Sequence, residues 1–251
     1  MKKGRLVLEE KNRRIRRLLR FIYTFRYVTR KQVDRFIRLS DNLVSSQWSI
    51  KRAVNNGLIN VYYDSTFKTK IYYLTKKGKE TIRGEEAYIK QYHFEKRHAG
   101  TNTFDHHNML VDTYFILRRQ LDIKSWQCEW SLRIGKGRMD KIPDGLIVLP
   151  DGSRIALEVE TSYKTLEAWK TVIELYRYDV EDTSTYHGVL VVAATRDDYE
   201  GIKTKLLTLD PELCASKFIL ADLEMLGLGK CFCHDKLIHL EEAIRLLREG
   251  G

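Results

Sequence analysis

The stretch that most limits what this chain can become runs from Pro143 to Glu160. Two apolar segments, 142–149 and 154–161, flank Pro150-Asp151-Gly152, whose proline and glycine are turn formers. A reversal there lays the start of the first strand beside the end of the second. Asp144 opens the one, and Glu158 and Glu160 close the other. Side chains alternate faces with period two, so Glu158 and Glu160 point one way while Leu157 and Val159 point the other. Three carboxylates thus gather at one edge of a hairpin. They repel one another unless something positive sits among them, and hard divalent cations favour such oxygen ligands. Asp144, Glu158 and Glu160 are therefore the candidate metal ligands.

Pro-Asp, a short spacer, then Glu-x-Glu on an apolar strand resembles the core of the PD-(D/E)xK nucleases. The wording Pro143-Asp144-Gly145, then Ala156-Leu157-Glu158-Val159-Glu160, resembles the replication-relaxation family of plasmid and mobile-element proteins more closely still. That resemblance implies an N-terminal winged helix joined to a nuclease-like domain, and a role in replication initiation or mobilisation. It also implies Mg2+ or Mn2+ as cofactor, with the metal lowering the pKa of a bound water and stabilising charge on phosphate oxygens. Active nucleases of this kind carry Lys two positions after the Glu, where this chain has Glu160. An acid does not replace that cation, so the reading leans to a nuclease-like domain without turnover. Lys164 joins the three acids as the candidate catalytic set, with Lys170 and Lys141 as other sources of the missing charge.

The charge is divided unevenly. Residues 1–100 hold 25 Lys and Arg against 9 Asp and Glu, a net of +16. Residues 101–251 hold 19 against 25, a net of −6. Such an asymmetry points to two functional halves, the first built to meet a polyanion such as nucleic acid. No apolar run approaches the ~20 residues of a membrane span, and Met1-Lys2-Lys3-Gly4-Arg5 has no apolar signal core. With four cysteines in no framework spacing, these features point to the cytoplasm and to no membrane partner.

In the basic half, Ile15, Leu18, Leu19 and Ile22 recur at helical spacing and predict a helix over 13–25. Thr29 is placed to N-cap a second helix over 30–37. A third is expected over 43–55, with Val44, Trp48 and Val54 inward and Gly57 as its left-handed cap. Residues 58–63 and 70–74 alternate as a hairpin around Asp64-Ser65-Thr66, and Thr75 opens another short helix. This is the order of a winged helix-turn-helix. Its third helix would present Ser45, Ser46, Gln47, Ser49, Lys51 and Arg52 to the major groove, and Lys68 and Lys70 would hold phosphates from the wing.

Three domains follow: a winged helix over 1–82, a linker or connecting helix over 83–100, and a nuclease-like domain over 101–251. The last reads as α/β, with a mixed central sheet in the order αβββαβ and an added αβα. Its elements are a helix over 105–120, strands over 123–133, 142–149 and 154–161, a helix over 166–180 and a buried strand over 188–194. A helix over 197–207, a strand over 217–221 and a helix over 240–248 close it. His106 and His107, near Asp105 and Asp112, read as ordinary polar residues of the first helix, although the resemblance implies that this helix can add an acid to the site. Cys231-Phe232-Cys233-His234 lacks the second cysteine pair that a structural zinc site wants. The leading function is a duplex-DNA-binding protein of a plasmid or integrative element, with a replication or mobilisation protein as partner. An Mg2+-dependent endonuclease targeted by its winged helix, and a transcriptional regulator with a dimerising C-terminal domain, are the alternatives.

Overall fold

The structure, a computed structural model, describes residues 2–40, 46–85, 89–134 and 141–249. The chain divides into two compact units, Met1–Phe104 and Asp105–Gly251. Both helices and strands build it, and the larger sheet is mixed.

The first unit opens with α1 (Lys2–Phe25), longer than the periodicity predicts. Ile15, Leu18, Leu19 and Ile22 are buried as expected. Arg26 takes a left-handed φ of 66° and ends the helix, and β1 (Val28–Thr29) leads into α2 (Arg30–Ser40). Thr29 caps α2 reciprocally. Its Oγ1 accepts from the Gln32 N–H at 3.4 Å, and Gln32 Oε1 accepts from the Thr29 N–H at 2.8 Å. After α3 (Ser46–Asn55), Gly57 adopts the left-handed cap at φ +66°.

β2 (Ile59–Asp64) and β3 (Thr69–Leu74) pair antiparallel, and β1 joins on the far side of β3, giving the order β1-β3-β2. Asp64 Oδ1 accepts from the N–H groups of Thr66 at 3.0 Å and Phe67 at 3.1 Å, which turns the hairpin tip. α4 (Lys76–Thr81) is capped by Thr75 Oγ1, 2.9 Å from the Gly78 N–H. Gly78 is required by close approach, since a Cβ there would lie 2.1 Å from the Leu58 carbonyl oxygen.

Within 83–100, residues 89–99 pack into this unit. The buried Tyr92 hydroxyl donates to the Arg26 carbonyl at 2.6 Å and accepts from the Leu74 N–H at 2.9 Å. Ala99 and Phe104 complete a cluster with Tyr27 and Ile71.

The second unit begins on α5 (Thr101–Gln120), with Leu110, Val111, Phe115 and Leu117 buried. The predicted strand over 123–133 is shorter: β4 (Ser125–Cys128) gives way to α6 (Glu129–Leu132). β5 (Gly145–Val148) and β6 (Arg154–Glu160) form the predicted hairpin, with Gly145 opposite Leu157. α7 (Leu166–Arg177), which passes into a π turn over Tyr178–Asp182, crosses to β7 (Gly188–Ala193). α8 (Arg196–Leu209) and α9 (Pro211–Lys217) cross to β8 (Phe218–Asp222). α10 (Leu223–Gly227), β9 (Lys230–Cys233), β10 (Lys236–His239) and α11 (Leu240–Glu249) follow.

The seven strands lie in the order β10-β9-β8-β7-β6-β5-β4, with β6, β7 and β8 parallel and the other neighbours antiparallel. Every residue of β7 and β8 is buried, and β6 is buried after Arg154, so these central strands are covered on both faces. Hairpin β9–β10 and helices α9 and α10 lie beyond the predicted elements. Cys231 and Cys233 are both buried on β9, and burial pushes their thiols up to about 12 and about 11. They are core residues there.

Candidate functional site

Asp144 stands immediately before β5, and its backbone oxygen accepts from the Glu129 N–H at 2.9 Å. Its side chain turns the other way: Oδ2 accepts from the Val159 N–H at 2.8 Å and lies 3.1 Å from His106 Nε2 on α5. The carboxylate thus latches β5 to β6 where Glu158 and Glu160 leave the sheet. His106, read from sequence as an ordinary helix residue, belongs to the cluster. Its hydrogen bond to Asp144 pulls its pKa up against the effect of burial. His107 stays half-buried on the same helix, and Lys170 is exposed on α7.

Glu158 is 2% exposed, and its Oε1 accepts from the Tyr176 hydroxyl of α7 and from Lys141 Nζ at 2.7 Å. Burial, reinforced by the Asp144 charge, pushes its pKa up to about 7, while Lys141 and Tyr176 oppose the rise. Lys141 also lies 5.4 Å from the centre of the Tyr176 ring, so one ammonium serves a carboxylate and an aromatic face. The Tyr176 hydroxyl is held well above its usual range, chiefly by burial, and stays a donor. Glu160 is equally buried and pairs with Lys164, whose ammonium lies 5.2 Å from the Trp169 ring centre. Its pKa too is raised by burial, against the pull of Lys164.

The structure therefore brings Asp144, Glu158 and Glu160 to one place, together with Lys164 and Lys141. Each of the two buried glutamates has its own ammonium. Among the described residues, no group of three or more His, Cys, Asp and Glu side chains is disposed to hold a metal ion. The donor set gives the physical reason. A divalent ion would have to displace an ammonium already in contact with Glu158 or Glu160 and compete with the Val159 N–H for Asp144. As arranged, each of the three acids already has a cation or an N–H group as partner. The basic loop Gly135-Lys136-Gly137 lies outside the described residues.

The candidate nucleic-acid residues separate differently. Ser45 lies outside the described residues, and for Ser46 and Gln47 only the backbone of α3 is described. Ser49 is 3% exposed and belongs to the interior, not to an outward face. Trp48, expected inward, is 41% exposed, with the Arg52 guanidinium 4.8 Å from its ring centre. Ile50 and Ala53 are buried beside Ser49, so α3 is rotated from the face the sequence suggests. Lys51 is exposed and Arg52 half-buried on its outward side. Lys68, at φ 48°, and Lys70 are both exposed on the hairpin, and Tyr63, 60% exposed, is the cross-strand neighbour of Lys70. Among the described residues no helix is long and apolar enough to cross a membrane.

No curated protein and no solved structure matches this chain. The sequence model of the replication-relaxation family matches residues 19–192, and the chain belongs to that family.

Proposed function

We propose that this member of the replication-relaxation family is a duplex-DNA-binding protein of a plasmid or integrative element, acting in replication initiation or mobilisation. In this reading α1 to α3 and the β2–β3 hairpin form a winged helix. α3 enters the major groove, while Lys68 and Lys70 neutralise phosphates beside it. The observation that carries it is the pairing of an outward α3 face, Lys51 and Arg52, with an exposed cationic hairpin in a half of net charge +16. The family supports the replication or mobilisation setting.

The second unit is proposed as a PD-(D/E)xK-like core that docks a replication or mobilisation protein and does not cut. Hydrolysis needs a water activated against a phosphate. The position two residues beyond Glu158 is an acid, and the nearest cations are bound to Glu158 and Glu160. One feature favours the endonuclease instead: Lys141 delivers a cation to Glu158 from outside β6.

Two measurements test this. Duplex affinity should fall with salt, and Lys68→Ala with Lys70→Ala should reduce the log–log salt slope by about 2, at about 0.9 for each phosphate contact. An unchanged slope would remove the hairpin from the interface. Supercoiled plasmid with Mg2+ or Mn2+ should stay intact; nicking by the wild type and not by Asp144→Ala would establish the endonuclease.

A further inference from the structure

On α3, the buried positions Ser49, Ile50 and Ala53 fix which side faces the interior. Trp48, Lys51, Arg52 and Asn55 then fall at i, i+3, i+4 and i+7, one continuous stripe on the opposite side. Three of the four are polar or charged, as a solvated helix requires. The indole is different. At 41% exposed, Trp48 is the one large apolar side chain of that stripe.

We propose that Trp48 and Arg52 act as one base-reading unit, the indole lying against a thymine methyl and the guanidinium donating to the adjacent guanine. This rests on the duplex-binding reading above. The Arg52 guanidinium carbon lies 4.8 Å from the Trp48 ring centre, a contact that restricts how its planar fork of donors can turn. A guanidinium so held presents two N–H groups together, which is what guanine O6 and N7 accept. The indole offers a flat apolar surface one helical turn away, and in the major groove the apolar feature is the thymine 5-methyl group. Lys51 on the same stripe and the cationic hairpin that follows favour a polyanion over an apolar protein surface as the occupant.

The test uses the full chain. Sites enriched from a random duplex pool should carry thymine beside guanine. Replacing that thymine by uracil removes one methyl group and should weaken wild-type binding about fourfold, the value of one buried methyl. Trp48→Ala should bind the thymine and uracil sites equally. Because that change is made in the DNA, a folding defect in the variant cannot imitate it. Trp48→Phe should recover part of the discrimination, and Arg52→Lys should lose about tenfold at the guanine while keeping its charge. Equal wild-type affinity for the two sites, or the same thymine preference in Trp48→Ala, overturns the proposal. A wild-type chain that binds no duplex at all overturns the DNA-binding reading itself, before any variant is compared.

Discussion

Replacing Glu158 by Gln should remove a pH dependence of stability that the second unit otherwise carries. Burial moves this carboxyl from 4.5 to about 7. Each tenfold change in proton affinity is worth about 1.4 kcal/mol, so the folded state loses about 3 kcal/mol when Glu158 is ionised rather than protonated. The sign follows from the direction. A folded pKa above the unfolded one gives stability that is complete below about pH 4.5 and is lost as pH rises through about 7. Glu160 and His106 are raised as well and act in the same sense, so the wild-type curve alone does not isolate Glu158. The difference from Glu158→Gln does. Glutamine still accepts from Tyr176, and Lys141, on the partly exposed side of the pair, can turn to water. Urea unfolding followed by tryptophan emission suits this unit, which holds Trp126, Trp130 and Trp169. The variant should gain on the wild type by about 3 kcal/mol between pH 4.5 and 8. Parallel curves, within about 0.5 kcal/mol, would refute the reasoning.

Mg2+ or Mn2+ should leave the melting temperature of the wild type unchanged, whereas Lys141→Met with Lys164→Met should make melting rise with Mn2+, since the acids would then lack their ammonium partners. A metal-dependent rise in the wild type would show that the lysines yield to the ion. Tyr176→Phe removes the donor to Glu158 and should cost about 1–3 kcal/mol at pH 8, shrinking at pH 5 where the carboxyl can carry its own proton; an equal loss at both would make it simple packing. Gly78→Ala forces a Cβ against the Leu58 carbonyl and should cost about 3 kcal/mol in the first unit, measured by thermal unfolding of the full chain, with no change in the second transition.

The hairpin at 145–160 was legible because period two and a Pro-Asp-Gly turn fix its register, and register alone brings Asp144 to Glu158. The cations were harder to assign. Lys164 stands one helical turn from Glu160 in number, but Lys141 reaches Glu158 from a segment whose path depends on the whole sheet. Tyr176 reads from sequence as one more apolar position on α7, since period 3.6 does not register a hydroxyl. His106 shows nothing until α5 lies beside β5. On α3 the size and apolarity of Trp48 suggest a core residue, whereas the smaller Ile50 and Ala53 are the ones buried. The short β9 and β10, four residues each, have too few alternations for a pattern to stand out.

Tyr92 has a consequence for cutting this protein into pieces. Its hydroxyl joins the main chain just after α1 to the end of β3, two places far apart in sequence. A fragment stopped after α4, where the helices and hairpin are complete, would strand that carbonyl and that N–H and uncover Tyr27 and Ile71. Carried through Phe104, the same fragment keeps its lock. A gene fusion or a protease acting between the two points would therefore yield products of different solubility from nearly the same sequence, and the difference would reside in Tyr92 together with Ala99 and Phe104.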